Sequence, residues 1–130
     1  MNYDELFNIA VKSAENAYCK YSGFYVGASL LTADGQVFTG CNIENASYSM
    51  TICAERTAIF KAVSEGFTEF TAIAVAGSST NDFSEPCVPC GACLQVMSEF
   101  CNSDFSIILA DGVHNLSDFL PKTFSEESIK

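Results

Sequence analysis

Apolar residues recur at three- and four-residue spacing at the start of the chain. Leu6, Ile9 or Ala10, Ser13 or Ala14, and Ala17 follow one another with charged and polar side chains between them. That period predicts an amphipathic helix from Tyr3 to about Cys19. The period then falls to two. Val26, Ala28 and Leu30 alternate within Phe24 to Thr32, Ala33-Asp34-Gly35 follows, and a second run extends from Gln36 to Cys41. Asp-Gly between two such runs signals a hairpin, so two antiparallel strands are predicted, followed by the polar loop Asn42-Ile43-Glu44-Asn45. Ala54 to Ser64 is rich in helix formers, with Ser49 and Thr51 as N-cap candidates before it and Gly66 as a stop after it. Thr71 to Ala76 reads as a buried strand and Gly77 to Glu85 as a polar loop. Pro89 introduces a helix over Gly91 to Phe100. Phe105 to Ala110 reads as another buried strand, Asp111-Gly112 as a turn, and Leu116 to Leu120 as a short helix stopped by Pro121.

The order helix, hairpin, helix, strand, helix, strand, helix places two β-α-β crossovers after a hairpin. It implies a mixed sheet covered by helices, an α/β sandwich forming a single domain over residues 1–130. No repeat, linker or low-complexity tract interrupts it. With 130 residues, of which 48% are hydrophobic, the chain can bury a core without staples.

Charge and cysteine usage narrow the function. The net charge is −10, and the six basic residues form no cluster. Binding a nucleic-acid backbone requires neutralising phosphates, so this balance argues against a polymeric substrate and favours a small, uncharged ligand. Seven cysteines is an odd number, and Met1-Asn2-Tyr3-Asp4-Glu5 is acidic where a signal peptide would be basic and then apolar. A reducing cytoplasm is therefore expected. No apolar run approaches the roughly 18 residues of a membrane helix, so no membrane partner is expected.

Two short segments carry chemistry: Cys53-Ala54-Glu55-Arg56 and, further on, Pro89-Cys90-Gly91-Ala92-Cys93. Three thiolates around Zn²⁺ leave the fourth tetrahedral position for water, and Glu55 would be the base that works on that water. Residues two apart in a continuous helix point to opposite sides, so Cys53 must sit at the helix mouth, in its first turn. Cys90 and Cys93, three apart, share one face of the next helix. Both helix N-termini would then face the metal, where their positive ends favour thiolates. Arg56, beside Cys53 and Glu55, is the side chain suited to hydrogen-bond a thiolate and offset the excess negative charge.

Cys87 forms a second, overlapping C-x-x-C with Cys90. A four-thiolate set including it would make the metal structural, but Pro89 between the two fits a ligand pair poorly and Glu55 would be left unexplained. A thiol-redox reading of either C-x-x-C leaves Cys53 and Glu55 idle. Cys19, Cys41 and Cys101 lack partners at metal-like spacing and are expected in the core. His114, beside a turn, is expected at the surface.

These residues resemble the small homotetrameric zinc-dependent cytidine deaminases of pyrimidine salvage. The matching segments are Tyr21-Ser22 with Phe24 and Val26-Gly27-Ala28, Gly40 through Tyr48, Cys53-Ala54-Glu55-Arg56, Pro89-Cys90-Gly91-Ala92-Cys93, and Leu120-Pro121 with Phe124. The resemblance implies a three-layer α/β/α sandwich with a mixed five-stranded sheet. It implies one zinc per subunit on Cys53, Cys90 and Cys93, and hydrolysis of cytidine and 2′-deoxycytidine at C4 of the base with Glu55 as proton shuttle. It also implies that Asn42 and Glu44 hold the ribose hydroxyls, that Phe24 and the Ala54 backbone line the base pocket, and that Phe124 reaches the active site of a neighbouring subunit in a cytoplasmic tetramer. Two positions depart from the family pattern: Val88 stands where Ser or Thr is usual, and Leu94 where Arg generally follows the last cysteine. Within the same fold the rival is a deaminase of a cytosine-bearing antibiotic such as blasticidin S, against which the Asn42 and Glu44 signature argues. From a different class, the rival is a non-catalytic zinc or redox module.

Overall fold

The computed structural model describes residues 1–130. Helix α1 covers Tyr3–Ser13. The Asn2 side chain caps it by accepting from the Glu5 N–H at 2.8 Å, with Asp4 and Glu5 in its first turn and Lys12 in its last, the charge order that the helix dipole favours. The helix is shorter than its pattern predicts. It tightens into a 3₁₀ turn at Ala14–Asn16 and then extends, because the Tyr18 N–H is taken by the Asn42 carbonyl at 2.9 Å and Tyr18 bridges to Ile43. A long-range pairing therefore ends the helix before its periodicity does.

The hairpin consists of β1 (Tyr25–Thr32) and β2 (Val37–Cys41), with Gly35 at φ +91° in the turn, a conformation that glycine adopts without strain. The remaining elements are α2 (Ala54–Ser64), β3 (Phe70–Ser78), α3 (Gly91–Phe100), β4 (Ser106–Leu109), β5 (Gly112–Asn115) and α4 (Leu116–Phe119). The strands form one five-stranded sheet in the order β2-β1-β3-β4-β5. Only β3 and β4 pair in parallel, and the other three pairs are antiparallel. Each β-α-β crossover that the element order requires is present, one through α2 and one through α3.

The two faces of the sheet have different chemistry. Ile73 and Val75 of β3 join Ala28, Leu30, Ile59, Met97 and Ile107 in the larger core beneath α2 and α3. Ala72, Ala74 and Ala76 of the same strand face the other way, against Leu6 and Ala10 of α1. Small residues let α1 lie close to the sheet. At Gly27 in β1 a Cβ would come within 1.9 Å of the Ala10 carbonyl oxygen, so the helix rests on bare backbone there. The result is the α/β/α sandwich that the resemblance implied. Each large aliphatic buried in it, Ile59, Ile73 and Ile107 among them, contributes about 1.5–3 kcal/mol.

Covering both faces explains why β1 is buried from Val26 through Thr32 and not at alternate positions only. Strand β5, by contrast, is a mostly exposed edge strand of four residues, Gly-Val-His-Asn, too short and polar to show a strand period. The segment read as a turn at Asp111-Gly112 is its entrance. Strand β3 extends further than the β-branched run suggested, taking in Gly77 and Ser78.

Candidate metal centre and active site

Helices α2 and α3 present their N-termini to the same point. Cys53 is the N-cap of α2 and Cys90 the N-cap of α3, each with extended backbone and neither with a side-chain capping bond. The N-cap candidates Ser49 and Thr51 are thus corrected. Ser49 lies in a 3₁₀ turn, and the Thr51 hydroxyl accepts from the Asn45 N–H at 3.2 Å. Cysteine occupies the capping position in both helices, so the free N–H groups and positive dipole ends face sulfur.

The Sγ atoms of Cys53, Cys90 and Cys93 all lie within 4.8 Å of one another. Cys53 to Cys90 is 3.7 Å and Cys90 to Cys93 is 3.6 Å. A tetrahedron with Zn–S bonds of about 2.3 Å has edges of about 3.8 Å, so the sulfur spacing fits zinc. The protonation behaviour fits as well. The Cys53 thiol is pushed down to about 5, first by a hydrogen bond from Cys93 and then by Arg56, while Cys93 is pushed up by sharing that bond. Three sulfurs this close cannot all ionise without a cation between them. Cys87 stands outside the cluster, its thiol pushed up to about 11 by burial, and the four-thiolate arrangement is absent.

Arg56 Nη2 donates to Cys53 Sγ at 3.3 Å, and the negative sulfurs in turn hold its guanidinium protonated. Its Nε is buried without a partner. Leu94, where the family generally has Arg, is 6% exposed and packed in the core, so Arg56 supplies the positive charge beside the thiolates.

Glu55, at the second position of α2, is only 4% exposed. Burial pushes its carboxyl up to about 7, the negative charge of Cys53 adding to the shift, against a lowering by its own backbone N–H. A cavity of about 190 Å³ opens beside it, lined by Val26, Asn42, Ala54 and Glu55 together with Cys53 and Cys90. Thr51, Ile52, Cys87 and Val88 complete its wall. Of these, Val26, Thr51, Ile52 and Cys87 carry no sequence motif that marks them as lining residues. Thr51 and Ile52 sit on the approach to α2, where Ile52 bridges to Ile43 of the loop after β2, which also bridges to Tyr18; Val26 comes from β1 and Cys87 from the approach to α3.

The remaining expected residues are distributed around this cavity. The Asn42 side chain accepts from the Val26 N–H at 2.9 Å and donates to the Phe24 carbonyl at 2.8 Å, clamping the start of β1. Glu44, 8% exposed, accepts from the Tyr21 and Ser22 N–H groups at 3.1 Å each and from the Ser22 hydroxyl. Neither Glu44 nor Phe24 lines the cavity itself. Phe24 is 39% exposed, and its ring packs over Gly77 beside Cys87. Phe124 is not brought to this cavity: its ring is 60% exposed, and its carbonyl accepts from Gln95 Nε2 at 2.9 Å. Cys19 is buried, while Cys41 and Cys101 are partly so. His114 sits at the surface with Nε2 2.8 Å from Asp111.

Comparison with known proteins agrees with this geometry. Residues 1–109 match the family described as the cytidine and deoxycytidylate deaminase zinc-binding region. A cytidine deaminase from Sporosarcina psychrophila is 46% identical over 134 residues, covering 99% of this chain and 96% of that protein. The crystal structure of cytidine deaminase from Burkholderia pseudomallei superposes with a TM-score of 0.86 at 45% identity, over 95% of this chain and 100% of that one. A blasticidin-S deaminase from Bacillus cereus is more distant, 30% identical over 129 residues, covering 96% of this chain and 87% of that protein. A triangle of thiols at zinc spacing beside a buried carboxyl, on a fold and sequence shared along nearly its whole length, places this chain in the cytidine and deoxycytidylate deaminase zinc-binding family.

Proposed function

We propose that this chain hydrolyses cytidine and 2′-deoxycytidine to uridine and 2′-deoxyuridine with release of ammonia, as one domain spanning residues 1–130. The observation that carries the reading is the buried Glu55 opening onto a small cavity directly beside Cys53, Cys90 and Cys93. Zinc held by these three cysteines would supply a water whose pKa is lowered toward about 7. Glu55 would take one proton from that water and deliver it to N3 of the base, then take the second from the hydroxyl added at C4 and deliver it to the departing amino group, which leaves as ammonia. A carboxyl poised near neutrality can both accept and return a proton at working pH. The Val88 carbonyl accepts from the amino group. The Ala54 backbone and the Phe24 ring bound the base, Asn42 and Glu44 hold the sugar hydroxyls, and Arg56 steadies the Cys53 thiolate.

The cavity, about 190 Å³, is smaller than the roughly 300–1,000 Å³ of small-molecule sites, so one subunit bounds only part of a nucleoside. Tyr18, Ile43, Tyr48 and Met50 are exposed on the segments around it, and Phe124 projects without an intramolecular pocket. An apolar surface of this kind supports a homotetramer in which Phe124 completes a neighbour's site. No helix is long and apolar enough to cross a membrane. We place the enzyme in the cytoplasm, where its seven cysteines remain reduced.

Incubating the zinc-loaded protein separately with cytidine and with blasticidin S, and following the absorbance of each, tests the assignment. Turnover of cytidine with negligible loss of blasticidin S is expected. Preference for the antibiotic would assign the site to that substrate, and turnover of neither would leave a non-catalytic zinc module.

A further inference from the structure

Ser22 touches two separate parts of the proposed substrate site through one oxygen. Its hydroxyl donates to Glu44 Oε2, and the same oxygen accepts from the Phe24 N–H at 3.0 Å. On the far side of Phe24, the carbonyl accepts from Asn42 Nδ2. The Phe24 backbone is thus held at both ends, by Asn42 through its carbonyl and by the Ser22 and Glu44 pair through its N–H. Nothing in the short motifs around the metal points to Ser22.

The acceptor inventory of Glu44 gives this contact a consequence. An ionised carboxylate has about four lone-pair sites. Oε1 accepts from two backbone N–H groups, Tyr21 and Ser22, and Oε2 accepts from the Ser22 hydroxyl. The free capacity that remains toward a ligand is on Oε2, in a direction set by where Ser22 holds that oxygen. The same hydroxyl is the main cause holding the Glu44 carboxyl below the usual carboxylate range, so the group stays an acceptor.

We propose that Ser22 is the positioning residue for sugar recognition: its hydroxyl, itself fixed by the Phe24 N–H, orients the Glu44 carboxylate toward a sugar hydroxyl. This rests on the reading of Glu44 as the carboxylate that accepts from the sugar. Removing the Ser22 hydroxyl leaves the Phe24 N–H where water can reach it. The loss therefore falls on the orientation of Glu44 and not on the fold.

The test compares steady-state kinetics of the zinc-loaded wild type, Ser22→Ala, Ser22→Thr and Glu44→Gln on two substrates. These are cytidine and 2′,3′-dideoxycytidine, which keeps the base but lacks the 2′ and 3′ hydroxyls. With one charge-assisted hydrogen bond lost, Ser22→Ala is expected to raise KM for cytidine about tenfold, with kcat within about twofold and KM for the dideoxy substrate unchanged. Ser22→Thr, which keeps the hydroxyl, is expected to stay within about threefold of wild type on cytidine. An equal loss on both substrates, or no change on either, overturns the proposal in favour of a merely local packing role. The Glu44→Gln arm separates the two readings. If it leaves the cytidine to dideoxycytidine KM ratio intact, the sugar assignment of Glu44 fails and the role of Ser22 falls with it. If Glu44→Gln collapses that ratio while Ser22→Ala preserves it, the assignment of Glu44 stands and Ser22 alone is refuted.

Discussion

Gly40 lies in β2, opposite Ala28 of β1, and faces the first turns of α2. A Cβ there would lie 2.5 Å from the Ala54 carbonyl oxygen, 2.6 Å from the Ala58 nitrogen and 3.0 Å from Thr57 Cβ. The two shortest contacts are with backbone, so no rotamer change relieves them. To reach ordinary contact near 3.4 Å the start of α2 must retreat by about 0.9 Å. Cys53 and Glu55 belong to that turn and would retreat with it, while Cys90 and Cys93 stay on α3. The Cys53 to Cys90 separation, now 3.7 Å, would then leave the range that zinc spans. Overpacking of this kind costs about 1–3 kcal/mol, which at this chain length lowers Tm by roughly 5–10 °C. A misplacement near 1 Å in a catalytic group costs on the order of 100-fold in rate. Gly40→Ala is therefore expected to show a lower Tm by differential scanning calorimetry, weaker zinc retention against a chelator, and kcat/KM for cytidine down about 100-fold. Gly91→Ala is the control: a Cβ beside Cys90 meets nothing within 4 Å, and both Tm and zinc content should stay at wild-type values. Wild-type Tm and turnover in Gly40→Ala would refute the claim that α2 is seated on bare backbone to place its ligands.

At Gly77 the added Cβ would meet side chains, Cys87 Sγ at 2.7 Å and the Phe24 ring at 3.0 Å, which can turn aside. Gly77→Ala is expected to change Tm little and raise KM for cytidine several-fold, and an unchanged KM would separate Phe24 from the substrate site. Arg56→Gln removes the cation 3.3 Å from Cys53 and should weaken zinc affinity about 10–100-fold in a chelator competition. Retention equal to wild type would mean that the thiolates need no such partner. In the metal-stripped protein, Glu55 titrates near 7 when folded against an ordinary value of 4.5, so ionising it opposes folding. That destabilisation is absent below about pH 4.5, grows as pH rises toward about 7, and reaches about 3 kcal/mol above it. Denaturant unfolding of metal-stripped Glu55→Gln should accordingly match wild type at pH 4 and exceed it at pH 8, and equal stability at pH 8 would contradict the burial argument.

What the sequence could and could not disclose follows from how far each signal reaches along the chain. Helix α2 is legible because helix formers, the stop at Gly66 and the cysteine at its mouth lie close together, and α3 because Pro89 and the cysteines mark its start. The same locality identified Cys53, Glu55, Cys90 and Cys93, whose juxtaposition needs only that two helix N-termini converge. The early end of α1 was not legible, since it depends on Tyr18 pairing with Asn42 and Ile43 across more than twenty residues. Strand β5 was hidden for another reason: an exposed edge strand of four residues has no buried face to impose alternation. Burial of Ser29 and Leu31 in β1 likewise depends on α1 covering the second face, a property of the assembled sandwich and not of the strand. The cavity wall at Thr51, Ile52 and Cys87 comes from two separate segments, the approach to α2 and the approach to α3, so no spacing rule marks it.

In the proposed mechanism a zinc on three thiolates and the buried carboxyl beside it act as one catalytic unit. Zinc content and cytidine turnover, measured together on the wild type and on Glu55→Gln, test it most directly. One zinc per chain is expected in both proteins and, in the variant alone, a loss of turnover of at least 10²–10⁴-fold. Glu55→Gln turning over cytidine at the wild-type rate, or a wild type that deaminates cytidine after its zinc has been removed, would contradict it.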